Sequence, residues 1–201
     1  MVIARNALEG ALKKTSKSKQ LLQWVSSQKS FGVVSIEIGE REKDEGLLQE
    51  VVRALQGALA VWQAHESENQ KFTWSNLGNI LQTLGELTLD VDVLKRVIDA
   101  KENTLDLKGG KRDVLDRVLT ENNLGLAQRW LGAVSGDLEM LETARASYKA
   151  CEDVDLQGHA SFNWVRLQWN IADLALARFL LEPDVALLIV ARACLQGARD
   201  F

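Results

Sequence analysis

The side chains best suited to chemistry are thinly spread in this sequence. There are two histidines, His65 and His159, 94 residues apart. His65 opens the run His65-Glu66-Ser67-Glu68, but no second group of ligands follows at the spacing a metal needs. Gly109-Gly110 is a lone pair in a turn, without the lysine and hydroxyl of a phosphate loop. Cys151 and Cys194 are too few for a disulfide framework. Both fall on small-residue helix positions and read as buried, reduced thiols of a cytosolic protein. Four aspartates form a ladder, Asp44, Asp90, Asp137 and Asp184, at intervals of 46, 47 and 47 residues. Carboxylates repeated in this way stand about one structural unit apart, too far to share a proton as an acid–base pair. Each precedes an apolar-periodic run, and an aspartate there caps a helix N-terminus. A second ladder, Asn76, Asn123 and Asn170, keeps the same interval. An amide both donates and accepts, so it suits either the backbone of an extended ligand or a neighbouring helix. The six tryptophans read as core or hairpin filler rather than as platforms for stacking bases. No catalytic residue, metal or cofactor is expected.

The ladders belong to a repeat. Thr73-Trp74-Ser75-Asn76-Leu77-Gly78 through Gly85 returns 47 residues later as Thr120-Glu121-Asn122-Asn123-Leu124-Gly125 through Gly132. It returns again, worn, at Asn170-Ile171-Ala172, and an earlier copy starts at Ser30-Phe31-Gly32. A fixed period of this size signals a repeat architecture. Each unit resolves into two helices. Helix A carries the Asn-Leu-Gly stretch and spans about five turns. Helix B starts at the aspartate and is apolar on one face, as in Leu47, Leu48, Val51, Val52 and Leu55, or Leu94, Val97 and Ile98. Its solvent face holds Gln49 and Glu50, Lys95 and Arg96, then Glu142 and Thr143. Such a hairpin needs neighbours to bury its face. Asn6–Leu12 matches Arg53–Leu59, so the chain begins inside a helix B. The expected organisation is one domain over 1–201: a half-unit at 1–18, then units at 19–64, 65–111, 112–158 and 159–201.

The 201 residues are 46% apolar and 26% charged with a single proline, which fits a folded helical protein. The net charge of −4 argues against general nucleic-acid binding. The first thirty residues carry six Lys and Arg against Glu9 alone. Lys13 to Lys19 falls on a connection between helices, where a solvated charge run needs no function. No apolar run approaches the length of a membrane span, so no membrane partner is expected.

These residues resemble the tetratricopeptide repeat family. Leu77-Gly78 and Leu124-Gly125 stand as the family's helix A pair, with Phe31-Gly32 and Ile171-Ala172 as weaker copies. The helix B sets are Val51, Leu55, Ala58; Val97, Lys101, Thr104; Ala144, Tyr148, Cys151; and Ala191, Leu195, Ala198. The chain departs in unit length, 46–47 residues against the usual 34, and it does not keep the family's Trp, Tyr and Pro positions. It looks like a long-unit bacterial variety. The resemblance implies an all-α, right-handed solenoid of antiparallel helical hairpins. It implies a non-enzymatic, cytoplasmic scaffold that binds a protein or peptide along the concave face of its A helices. The groove candidates are then Asn76, Asn79 and Gln82 in one unit; Asn122, Asn123 and Arg129 in the next; and Arg166, Trp169, Asn170 and Asp173 in the last. Whether the asparagines face a ligand or tie helices together stays open at this point.

The rival expectation is a self-assembly module. In the last helix B, Val185 opens the run and Ile189 and Val190 replace the polar pairs of earlier units. Terminal repeats usually need a polar outer face. The apolar one here predicts a homodimer through helix 184–199, with residues 3–13 as a second contact.

Overall fold

The computed structural model describes residues 44–63, 69–107, 114–154, 156 and 161–200. The leading half-unit, the first helix A, both histidines, the segment Lys13–Lys19 and nearly all of the three B-to-A connections lie outside these residues. The described residues form seven helices and no strand. They are α1 (Glu45–Gln63), α2 (Asn69–Thr88), α3 (Val91–Asp106), α4 (Val114–Ser135), α5 (Leu138–Glu152), α6 (Ser161–Leu181) and α7 (Val185–Arg199). The chain divides into two compact units, Met1–Gly110 and Lys111–Phe201. That division falls beside the repeat boundary read at 111/112.

The aspartate ladder sets where the B helices begin. Asp44 Oδ1 accepts from Leu47 N at 3.0 Å. Asp90 Oδ1 accepts from Asp92 N and Val93 N at 2.8 and 3.0 Å. Asp137 does the same for Met140 N at 3.0 Å, and Asp184 for Ala186 N at 2.9 Å. Each bond satisfies an orphan N–H of the first turn and places negative charge at the positive end of the helix dipole, worth about 1 kcal/mol per cap.

In the first unit, α1 packs on α2 and α2 on α3. The apolar face read for α1 is buried, Leu47, Leu48, Val51, Val52 and Leu55 included. Gln49, Glu50, Lys95 and Arg96 are exposed, as the helix period requires. In the second unit, α4 pairs with α5 and α6 with α7, and α6 also lies against both α5 and α4. Tyr148, Leu141 and Cys151 of α5 share one core with Leu167, Leu174 and Ala177 of α6, and Trp164 and Ile171 pack against it.

The contact inside each of the first two hairpins repeats with the sequence. A Cβ placed on Gly78 would lie 3.0 Å from Lys101 Cε, and one on Gly125 would lie 2.6 Å from Tyr148 Cε1. Two turns on, Gly85 faces Leu94 at 2.9 Å and Gly132 faces Leu141 at 2.6 Å. Every pair is the other shifted by 47 residues. Helix A drops its side chain where helix B inserts a large one, and the two backbones close on each other as a result. The turns that follow are also equivalent. Leu89 and Gly136 both take left-handed backbone, at φ 52° and 69°. For glycine this costs nothing, whereas leucine pays about 1–2 kcal/mol. The third turn has Pro183 at the same place, and proline's fixed negative φ demands a different turn.

Candidate functional site

The polar residues of the A helices in the second unit meet each other. On α4 and α6, Asn170 Nδ2 donates to Asn122 Oδ1 at 3.1 Å, and Arg166 Nη2 donates to Asn123 Oδ1 at 3.1 Å. One to two turns further along, Arg129 Nη2 lies 3.7 Å from Asp173 Oδ2. These pairs form a seam that joins successive A helices. Arg178 extends it to α5 through a 2.6 Å ion pair with Glu142. Gln128 and Ser147 close the α4–α5 side with a buried 2.9 Å hydrogen bond. Five of the residues read as groove candidates, Asn122, Asn123, Arg129, Arg166 and Asn170, are thereby held between helices. Asp173 stays more than half exposed at the end of its pair.

Arg129 is the centre of the seam. It is buried, with its guanidinium 4.7 Å from the Trp130 ring centroid. Its Nε and the Tyr148 hydroxyl are both buried and lack a hydrogen-bond partner of acceptable geometry. The Tyr148 phenol is pushed well above its ordinary value, chiefly by burial, with the Arg129 charge working against that rise. Burial outweighs the Arg129 charge, and the phenol stays protonated. Cys151 is buried in the same core. Burial first, then the charges of Glu121 and Glu152, push its thiol up to about 12. Its Sγ donates weakly to the carbonyls of Val118 and Ser147. A thiol held neutral in this way is a poor nucleophile.

In the first unit the candidates are placed differently. Asn79 Oδ1 accepts from Lys101 Nζ, a short contact that anchors the buried lysine above Gly78. Lys101 stands at the filler position that Tyr148 occupies in the next hairpin. Gln82 Nε2 donates along its own helix to Glu86 Oε1 at 3.1 Å. Asn76 is half-buried. Among the described residues no group of three or more His, Cys, Asp or Glu could hold a metal ion.

Among the described residues the exposed aromatic side chains all stand on A helices. Phe72 on α2 and Phe162 and Trp169 on α6 are the exposed aromatic residues among those described. Trp169 is one of the groove candidates read from the sequence, and Phe72 lies on the same side of α2 as the candidates Asn76 and Asn79. Phe162 was not singled out there, although its place seven residues before Trp169 puts it on the same side of α6. Of the self-association candidates, Val185, Ile189 and Val190 are all exposed.

The chain finds no match among protein-family models, curated proteins or solved structures. Its internal repeat is thus the comparison that carries weight. No helix among the described residues is long and apolar enough to cross a membrane.

Proposed function

We propose that this chain is a non-enzymatic scaffold of the tetratricopeptide kind, a right-handed solenoid of helical hairpins working in the cytoplasm, whose A helices hold a protein or peptide partner. The observation that carries this reading is the position of the exposed aromatics. Phe72, Phe162 and Trp169 all stand on A helices, whereas the B helices bury Trp62 and Tyr148. Exposed Phe and Trp are expensive on a surface in water and are the residue types that dominate binding energy at interfaces. The 47-residue recurrence of the Gly78–Lys101 and Gly125–Tyr148 contacts supports equivalent hairpins, as a solenoid requires.

Ligand contact then falls to Phe72 and Gln82 in the first unit and, in the second taken by itself, to Trp169 and Asp173; there Asn122, Asn123 and Asn170 tie helices together. The acidic net charge favours a protein or peptide over nucleic acid. Selection of binders from a displayed peptide library tests the proposal. Peptides that bind the wild type should lose at least about tenfold in affinity on Phe72→Ala or Trp169→Ala, about 1.4 kcal/mol each. A library that yields no binder, or binders indifferent to both substitutions, rejects it.

A further inference from the structure

The last hairpin has an open groove whose equivalent in the preceding hairpin is filled by α6. In the α4–α5 hairpin, Leu141 and Tyr148 are 0% and 1% exposed, sealed in the core that α6 shares. Their equivalents 47 residues on, Leu188 and Leu195 of α7, are 38% and 45% exposed. They line a groove of ≈ 410 Å³ with Leu176 of α6 and Ala191, Arg192 and Arg199 of α7. Its apolar floor, Leu176, Leu188, Ala191 and Leu195, is equivalent to Arg129, Leu141, Ala144 and Tyr148, which are buried in the preceding hairpin.

The seat has changed its chemistry. Where α4 offers Asn122 and Arg129 to the next A helix, α6 offers Trp169 and Leu176. Where α5 offers Glu142 to Arg178, α7 offers Ile189. Three of the four polar contacts that fix one hairpin on the next have become apolar at the last one; the exception is Asn123, whose equivalent Asn170 is already bonded to Asn122. Ten of the fifteen large apolar side chains that are exposed among the described residues lie between Phe162 and Leu195, so exposed apolar surface concentrates on the last hairpin. Replacement of polar registration by apolar side chains, with arginines at the edge, suits a contact between two chains.

We propose that two copies of this chain pair through α6 and α7, each C-terminal hairpin covering the groove of the other about a two-fold axis, with the α7 helices antiparallel. Two features favour a second copy of the chain as the occupant. The first is size. α6 and α7, about 31 and 22 Å long and about 9 Å apart, present a face of roughly 500 Å² each. Paired, that is about 1,000 Å², the least that a specific interface needs. The second is charge. Glu182 and Asp184 lie at the start of α7, and Arg192 and Arg199 in its second half. Antiparallel pairing sets each acidic start beside the partner's basic end, and the surface complements itself as an isologous contact must. The exposed pair that Arg199 forms with Asp200 at 3.1 Å is a weak competitor. The pairing does not rest on the ligand reading of the A helices: Trp169 belongs to both faces, whereas Val185 and Ile189, the sites that test the pairing, belong to this one alone.

Sedimentation equilibrium on the full chain tests the pairing. The wild type should have twice the 22.3-kDa chain mass. Val185→Glu and Ile189→Glu should each weaken the dimer about a hundredfold or more, because a two-fold interface takes every substitution twice. Both sites are exposed, and glutamate suits the first turn of a helix and its interior alike. Retained helical circular dichroism is therefore expected. If a variant loses that signal, Ile189→Ala takes its place, with a smaller loss of the same sign. Val114→Glu, an exposed apolar site on α4, should leave the mass unchanged. Arg199→Glu alone should weaken the dimer, and Glu182→Lys added to it should restore association. A wild type that is monomeric at about 100 µM, where a dimer of micromolar Kd would be nearly complete, overturns the proposal. So does a folded Ile189→Glu variant that stays dimeric, a dimer lost in Val114→Glu, or charge exchange that fails to restore.

Discussion

At Cys151 and Tyr148 the second unit encloses two weak acids that it never needs to ionise. Their positions follow from packing: Tyr148 fills the space above Gly125, and Cys151 sits one turn on, in the core shared with α6. The thiol is raised from its ordinary value of 9.0 to about 12 by burial and nearby carboxylates, and the phenol is raised in the same sense. An acid whose folded value exceeds its unfolded value keeps its proton in the native chain after the unfolded chain has released it. Stability is therefore unaffected below about pH 9 and falls as the pH rises from there towards about pH 12. Urea unfolding midpoints taken across that window should decline, and the slope should flatten in Cys151→Ala. A wild-type midpoint that does not move above pH 9 contradicts the burial argument. At neutral pH the same thiol should resist alkylation in the native state and react once the chain is unfolded.

At the scale of the helical hairpin, closeness between A and B is set by where a side chain is missing. Glycine inside a helix costs about 1 kcal/mol relative to alanine, so its presence in α2 and α4 has to be offset by contact. At Gly125 it is, because Tyr148 occupies the space a Cβ would take. At Gly57 of α1 there is nothing within 4 Å. The same substitution should thus have opposite signs. Gly125→Ala should destabilise, since overpacking of about 1–3 kcal/mol exceeds the helix-propensity gain. Gly57→Ala should stabilise by about 0.5–1 kcal/mol. Thermal or urea unfolding of the two single variants checks the pair. Equal signs would mean that the helix backbones part easily at Gly125 and that the close approach is not what holds the hairpin. The A-to-A seam works on the next level up. Asn122–Asn170, Asn123–Arg166 and Arg129–Asp173 fix the sliding position of α6 on α4, which apolar contacts alone leave loose.

For the whole molecule, the consequence of an apolar last hairpin is coupling between folding and association. If α6 and α7 complete their burial in a second copy, the native state is a dimer, and its apparent stability rises with chain concentration. The melting temperature of the wild type should climb by a few degrees over a hundredfold rise in concentration. That of Ile189→Glu should stay constant and lie lower. A wild-type melting temperature independent of concentration would show that the last hairpin is stable with its face in water.

The sequence by itself determined what is local or periodic. Helix period marked the buried and solvent faces of α1, α3 and α5. The aspartate ladder marked four helix starts, because a cap acts within one turn and needs only its own neighbours. The 47-residue recurrence made Gly78 equivalent to Gly125 and Lys101 equivalent to Tyr148; that each glycine faces the large side chain of its own hairpin is a feature of the structure. Tertiary structure alone decided the rest. An asparagine reads the same whether it awaits a ligand or a neighbouring helix, and only the placement of α6 against α4 showed Asn122, Asn123 and Asn170 turned into a seam. The buried state of Lys101 contradicts its charge and depends on Asn79 being within reach. The open groove at Leu188 and Leu195 is legible only by comparison with the filled one at Leu141 and Tyr148. Exposure of an apolar residue is a property of what is packed on it, and that is decided by other parts of the chain or by another chain.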